Sequence, residues 1–159
     1  MYITTDGASY SVSSDGCSIS DHATDDHPWP MFRHDIQRTG RSGFLGPTSP
    51  YLKWSYRTVD DLDSSPAIDS EGGIYAGSKD DRLYAFSSTG ALEWSYLTFG
   101  NILSSPAIDA SGTVYVGSSD TMVYACSSIG SLAWSYRADE NIDSSPLIDG
   151  NGRIYIGSD

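Results

Sequence analysis

Histidines and carboxylates are concentrated in one short stretch of the chain, DHATDDH at residues 21–27. Imidazole nitrogens and carboxylate oxygens both bind divalent metal ions, so this stretch is a candidate metal site. Its ligands would be His22, Asp25, Asp26 and His27. The same composition is typical of an acidic, solvated linker, and we favour that interpretation because polar acidic runs usually face water.

A second arrangement with chemical potential is FRHD at residues 32–35, where His34 stands beside Asp35. A carboxylate can orient an imidazole that acts as a general base. No nucleophile is paired with it in the sequence, and the segment better suits a role in anchoring a linker to a folded domain. We find no Ser/His/Asp arrangement, phosphate-binding glycine loop or pair of catalytic carboxylates. The sequence therefore predicts a protein that is not an enzyme and has no catalytic residue, metal or cofactor.

A third set of carboxylates belongs to a repeated Asp-x-x-Gly pattern that begins at Asp69, Asp109 and Asp149. A calcium loop needs several oxygen ligands at alternating positions, and DASGT at residues 109–113 supplies too few. A hairpin turn explains the pattern better, because the carboxylate can accept turn N–H groups and glycine can adopt a positive φ. We expect turns at these positions rather than metal sites.

The composition limits the classes of partner. The 159 residues carry a net charge of −12, with 38% hydrophobic and 19% charged residues. Such an acidic surface repels phosphate backbones and anionic lipid, which argues against nucleic acid and membrane surfaces as partners. No stretch approaches the roughly 20 apolar residues of a membrane span. The N-terminus lacks the pattern of a signal peptide. We expect a soluble chain and leave its compartment open.

The two cysteines, Cys17 and Cys126, form neither a disulfide framework nor a metal-ligand pair by their spacing. Cys126 stands 40 residues after Phe86, at the same place in a repeat. We therefore interpret it as a small buried apolar residue.

A 40-residue repeat organises most of the chain. It is marked by SSPAIDSEGGIYAGSKD, SSPAIDASGTVYVGSSD and SSPLIDGNGRIYIGSD, which begin at residues 64, 104 and 144. The repeats span residues 64–103, 104–143 and, in part, 144–159. The same spacing relates three tryptophans, which we expect to pack between neighbouring repeats: Trp54, Trp94 and Trp134.

Within one repeat, four runs of about five residues read SPAID, IYAGS, RLYAFS and LEWSY. They are rich in β-branched and aromatic residues, alternate with period 2, and are separated by turn residues at hairpin length. A repeated four-stranded antiparallel meander is the unit of a β-propeller blade. We predict an all-β propeller, with about three blades' worth of strands in the chain.

These residues resemble the blades of the pyrroloquinoline-quinone-type propeller repeat. The tryptophan-docking motif of that family is matched at Ala85, Thr89, Gly90 and Trp94, and again at Ala125, Gly130 and Trp134. The segment WPMFRHDIQRTGRSG, at residues 29–43, is similar to the lead-in of many members. The resemblance implies a propeller over residues 29–159.

The resemblance does not extend to a quinone-dependent enzyme. Ser87 and Ser127 stand where the docking motif has aspartate. The dehydrogenases of the family also need acidic calcium ligands and a catalytic aspartate, and no residues here match them. We therefore expect a non-enzymatic member.

The order of the strands predicts an incomplete ring. Residues 51–159 begin with the last strand of one blade and end with the first two strands of another, after a linker at residues 12–50. Residues 1–11 are a candidate blade-completing segment, in which residues 1–5 resemble a third strand. Two copies could then form a six-bladed ring, because propellers have about four to eight blades. The expected interface comprises Tyr2, Ile3, Thr4, Ile154, Tyr155 and Ile156.

Two functions follow as hypotheses. One is a non-catalytic scaffold or binding module, a homo-oligomer whose rim loops bind an unknown protein or small ligand. The alternative is a fragment of a larger quinoprotein-like propeller, such as a quinone-dependent dehydrogenase.

Overall fold

The computed structural model describes residues 29–35, 49 and 51–159, together with the backbone of residues 2–4 and 9–11. These residues form thirteen strands and no helix, which confirms the all-β prediction. The strands are β1 (Tyr2–Thr4), β2 (Ser9–Ser11), β3 (Ser55–Arg57), β4 (Ala67–Ile68), β5 (Ile74–Gly77), β6 (Arg82–Phe86), β7 (Leu92–Leu97), β8 (Ala107–Ile108), β9 (Val114–Gly117), β10 (Met122–Cys126), β11 (Leu132–Arg137), β12 (Leu147–Ile148) and β13 (Ile154–Tyr155).

Two complete antiparallel meanders form the centre of the structure. The first blade has the strand order β4-β5-β6-β7, and the second blade has the order β8-β9-β10-β11. Strands β12 and β13 form a half-blade, which repeats only the first two strands of a blade. The fourth sheet, called here the N-terminal sheet, has the order β2-β1-β3.

Alternation along the strands gives each blade two apolar faces, because successive side chains point to opposite sides of a sheet. In the first blade, Tyr75 and Trp94 both pair with the small residue Ala85 from opposite sides, and their rings lie 5.8 Å apart. This face packs on Val114, Val116 and other residues of the second blade. The core is therefore a series of layers between blades, as in a repeat protein whose units bury their faces on each other.

The Asp-x-x-Gly segments form the predicted turns. The Asp109 carboxylate accepts hydrogen bonds from the backbone N–H groups of Ser111 and Thr113 and from the Tyr115 hydroxyl, at 2.8, 3.0 and 2.7 Å. Gly112 has a φ of 80°, which glycine adopts without strain. Asp69 and Asp149 make the same turn contacts. The carboxylates are thus used within their own hairpins.

Acid is expected to weaken this turn. Burial alone would raise the pKa of the Asp109 carboxyl, but the hydrogen bonds from Ser111, Tyr115 and Thr113 outweigh burial and lower its pKa below 3.8. A lowered pKa gives stability that is present above the ordinary value and is lost as the pH falls through the folded value. Replacing Asp109 with asparagine should cost about 1.5 kcal/mol of unfolding free energy at pH 7.

Urea unfolding of Asp109→Asn and the wild type from pH 7 to pH 2 measures this difference, which should begin to shrink near pH 4 and disappear as the pH falls through the lowered pKa of Asp109. The control is Asp139→Asn, because Asp139 is exposed. A difference that stays constant down to pH 2 would show that the carboxylate charge has no role in the turn.

Serines connect the blades near the first strands. The Ser104 hydroxyl, which is fully buried, both donates to the carbonyl of Gly117 and accepts from its N–H, at 2.8 Å each. The next residue links neighbouring blades, since the N–H of Ser65 donates to the Ser105 hydroxyl and the N–H of Ser105 donates to the Ser145 hydroxyl, both at 2.9 Å. The paired serines thus hold each first strand to its own blade and to the next.

Replacing Ser104 with alanine should lower the free energy of unfolding by about 2 kcal/mol, because two buried backbone groups of Gly117 lose their partner. Chemical denaturation of the variant checks this expectation. Ser131→Ala is the matched control, since Ser131 is exposed and the preceding repeat has Ala91 at that position. Equal losses in the two variants would contradict the structural role of Ser104.

The N-terminal sheet differs from the sequence prediction. Strand β1 pairs with β3 in parallel, whereas the third and fourth strands of both complete blades are antiparallel. Strand β1 pairs antiparallel with β2, with Ile3 opposite Tyr10, across a hairpin one residue shorter than the one that places Ala76 opposite Tyr84. In the order β2-β1-β3, residues 2–4 lie beside the last strand, where a third strand stands in the complete blades, but they run parallel to it.

Candidate interaction surface at the open blade edge

Two tryptophans close the seams between consecutive sheets. Trp54, which precedes β3, lies against Gly90 of the first blade, where an added Cβ atom would overlap the indole ring. Trp94 on β7 lies against Gly130 of the second blade, where an added Cβ would come within 2.7 Å of the ring. Both glycines have positive φ angles, 86° and 80°, so a side chain there is unfavourable for two independent reasons.

Polar and aromatic contacts complete these seams. The Trp94 indole N–H donates a 2.8 Å hydrogen bond to the carbonyl of Ser128, two residues before the glycine. Two residues after the tryptophan, Tyr96 packs on Tyr124 with ring centroids 5.7 Å apart.

In the first seam Tyr56 packs on Tyr84 in the same way, at 5.8 Å, but the Trp54 indole N–H makes no hydrogen bond among the described residues. What the two seams share is a tyrosine of the following blade and a glycine six residues after it.

The third seam lacks this cover. All six residues of β11 are exposed, whereas the corresponding strand β7 has three half-buried residues. Trp134 and Tyr136 are 42% and 67% exposed, although they stand at the repeat positions of Trp94 and Tyr96. Only the inner part of this face is packed, by a cluster that includes Tyr115 and Ile148.

The uncovered face forms one wall of an apolar groove of about 410 Å³. The groove is lined by Val123, Trp134, Tyr136, Ile154, Tyr155 and Ile156. Strand β13 has β12 as its neighbour on one side, and its other side borders the groove. The groove thus combines an apolar wall with a strand edge, which is the geometry that accepts an added strand. We call this surface the open seam.

The lead-in segment connects the sheets on their inner side. Trp29 exchanges backbone hydrogen bonds with Ile68 on β4, at 3.2 and 2.8 Å, and the carbonyl of Pro30 accepts from the N–H of Ile108 on β8 at 2.7 Å. Met31 is 6% exposed and packs in the cluster between the second blade and the half-blade. Three consecutive residues therefore join three successive sheets.

The structure places some of the residues that the sequence singled out for catalysis or metal binding. His34 belongs to the lead-in segment, with its Nδ1 atom 3.7 Å from the Asp35 carboxylate and its ring 4.9 Å from that of Trp29. Cys126 is fully buried, and burial raises the pKa of its thiol to about 11, as expected of an apolar residue. Outside the described residues lie Cys17 and the metal candidates His22, Asp25, Asp26 and His27, so the hypothesis of a metal site there stays a prediction.

The described residues do not fit a calcium-bound quinone. In residues 29–35, 49 and 51–159, no three histidine, cysteine or acidic side chains are grouped in a way that could hold a metal ion. Ser87, which replaces the aspartate of the docking motif, shapes its own turn by accepting from the N–H groups of Thr89 and Ala91. In the same part of the chain, no helix is long and apolar enough to cross a membrane.

Comparison with known proteins gives a family. The model of the family described as "Outer membrane protein assembly factor BamB", with repeats of the PQQ type, matches residues 21–159. The chain belongs to this family. Its fold is also similar to that of BamB from Moraxella catarrhalis, with a TM-score of 0.57 and 21% sequence identity over 65% of this chain. No curated protein sequence matches significantly.

The chain is short relative to that solved relative. It covers 32% of the chain of the Moraxella catarrhalis protein, or about one third of its length. Family membership and structural similarity together establish a partial PQQ-type propeller. In the described part of the chain, β12 and β13 pair only with each other.

A sequence match to the third strand and its turn also lies near the N-terminus, and the sequence prediction of the repeat did not include it. SYSVSSDG at residues 9–16 matches LYAFSSTG (83–90) and VYACSSIG (123–130) at tyrosine, at the two serines and at glycine. Tyr10 and Gly16 have the interval of the tyrosine and glycine in both closed seams. The comparison of residues 1–7 with the same segments is weaker, because the interval between Tyr2 and Gly7 is one residue too short.

Proposed function

We propose that the protein is a non-catalytic propeller scaffold or binding module that closes its ring by association with a second copy. Two copies, each with about three blades' worth of strands, form a six-bladed ring with composite blades at the two junctions. The rim loops of this ring then bind an unknown protein or small ligand. Propellers commonly bind partners through loops held on a rigid ring.

The observation that carries the proposal is the exposure of Trp134. Its counterparts Trp54 and Trp94 each pack on a glycine of the next blade. Among the described residues, no such glycine packs on Trp134. An exposed apolar groove beside a strand edge is a surface that proteins normally cover. A second copy offers strands of the same repeat.

Two observations support a non-catalytic role. The repeated turn carboxylates Asp69, Asp109 and Asp149 are engaged by their own hairpins rather than directed into a common site. The family is described as an assembly factor, a role that rests on binding. These observations favour a binding module over a dehydrogenase.

Thermal unfolding at a series of protein concentrations tests ring closure. An associated ring is stabilised by mass action, so its unfolding temperature should rise with concentration. An unfolding temperature that is independent of concentration would contradict association. It would favour a larger propeller in which strands of the same chain close the third blade.

Titration with pyrroloquinoline quinone and calcium tests the catalytic alternative. We expect no saturable change in quinone absorbance and no oxidation of alcohols. Stoichiometric uptake of the quinone with turnover would overturn the non-catalytic assignment, whatever the state of association.

A further inference from the structure

We infer that residues 9–16 of a second copy occupy the open seam, with β2 as the third strand of the composite blade and Gly16 under the Trp134 ring. This inference rests on the proposed association and names the segment that makes it. The hypothesis that residues 1–5 form the third strand predicts a different pairing, so the two can be separated by experiment.

The first argument is the spacing of the segment. Both closed seams have a third-strand tyrosine and a glycine six residues later, and the second seam also uses the carbonyl of Ser128, four residues after Tyr124. Residues 9–16 supply the same residue types at the same intervals. Glycine at the last position is required because a Cβ there would meet the tryptophan ring.

The second argument is the antiparallel pairing of the N-terminal hairpin. Strand β2 follows β1 in an antiparallel hairpin, as the third strands β6 and β10 follow the second strands β5 and β9, although this hairpin is one residue shorter. Strand β13 is a second strand, because its pairing with β12 repeats that of β5 with β4. In the ring, β13 of one copy therefore pairs with β2 of the other.

The third argument is strand direction. Since β1 is antiparallel to β2 and parallel to β3, strands β2 and β3 run in opposite directions. The third and fourth strands of a complete blade do the same. The order β12-β13-β2-β3 is a regular antiparallel blade, with the last two strands from the second copy. To form it, β1 leaves the sheet and β2 moves by one strand position to lie beside β3. A short parallel pairing is exchanged for antiparallel ones, and the Trp134 face is buried.

Register makes this inference testable by disulfide trapping. Val116 of β9 pairs with Tyr124 of β10, and by the 40-residue repeat Ile156 of one copy pairs with Tyr10 of the other. Directly paired residues have Cβ atoms about 5 Å apart, within reach of a disulfide. The experiment mixes an Ile156→Cys chain with a Tyr10→Cys chain, both also carrying Cys17→Ser, under mild oxidation.

We expect a covalent heterodimer from this mixture and none when Tyr2→Cys replaces Tyr10→Cys. The reverse result, with trapping through position 2 only, would overturn the inference and leave the association of copies intact. No trapping in either mixture, together with a monomeric native mass, would instead remove the proposed association itself. A disulfide formed within single chains that carry both Ile156→Cys and Tyr10→Cys would place the segment in its own chain.

A pair of glycine variants gives an independent measurement. Gly16→Val should weaken association at least about tenfold, because a side chain under Trp134 blocks the seat. Gly7→Val is the matched control and should change the dissociation constant less than about twofold. Sedimentation equilibrium measures both. An unchanged dissociation constant for Gly16→Val would contradict the inference.

Discussion

Replacing Trp134 with alanine is expected to weaken association of two copies at least about 30-fold, which corresponds to about 2 kcal/mol at an interface centre. The side chain packs on Tyr115 but is 42% exposed in the single chain, so its removal should lower the unfolding free energy of the isolated chain less than removal of Trp94 does. Replacing Trp94, which packs on Gly130 of its own chain, with alanine should instead lower the unfolding free energy of the single chain and affect association less. The effect of a tryptophan thus depends on whether its seat lies in the same chain.

Sedimentation equilibrium and urea unfolding of the same preparations separate these effects. Phe99→Ala is the control for loss of an exposed aromatic ring, because Phe99 is 90% exposed and does not line the open seam. Equal dissociation constants for Trp134→Ala and Phe99→Ala would show that the open seam has no part in association.

Replacing Gly117 with alanine is expected to destabilise the chain by about 3 kcal/mol, the upper range for an overpacked core. A Cβ atom at this position would overlap the side chain of Ile142 and lie 2.7 Å from its carbonyl oxygen. Ile142 is 1% exposed and lies in the connection that follows β11. A different rotamer of Ile142 would not relieve the contact with its carbonyl oxygen, so the backbone itself would have to move.

Urea denaturation of the alanine variant measures this loss. The control is Gly150→Ala, because nothing lies within 4 Å of a Cβ atom added there and the preceding repeat has Ala110 at the same position. A loss below about 0.5 kcal/mol at Gly117, which is typical of surface sites, would contradict the close packing between strand β9 and the connection after β11.

The fold could be predicted from the sequence because its signals are local and repeated. A turn such as DASGT and a period-2 run such as LEWSY each specify a hairpin or a strand without long-range information. The 40-residue repeat then fixes the number of strands in a blade. The structure confirms this architecture in the two complete blades.

The positions at the two ends were harder to predict. Residues 2–4 and 9–11 both alternate like strands, and a short alternating run does not say which place in a blade it takes. Strand order and direction come only from the structure, in which β1 lies between β2 and β3 and runs parallel to β3. The match of residues 9–16 to the third strand and its turn was visible in the sequence, but residues 1–7 gave a similar, shorter pattern.

The role of the lead-in segment also depends on contacts that sequence does not reveal. The sequence indicated an anchor at residues 29–35, but not that Trp29, Pro30 and Met31 reach three successive sheets. Backbone hydrogen bonds to β4 and β8 carry no residue signature, because they use groups that all residues share. A pattern search therefore finds such a segment without finding what it binds.

The native mass of the purified chain, measured by light scattering after size exclusion over a range of concentrations, tests the central claim most directly. Ring closure by two copies predicts a single species at twice the 17.1 kDa of one chain, and a shift toward the single chain for Trp134→Ala. A monodisperse wild-type chain of 17.1 kDa at every concentration would contradict the claim and leave the open seam to residues of a longer chain.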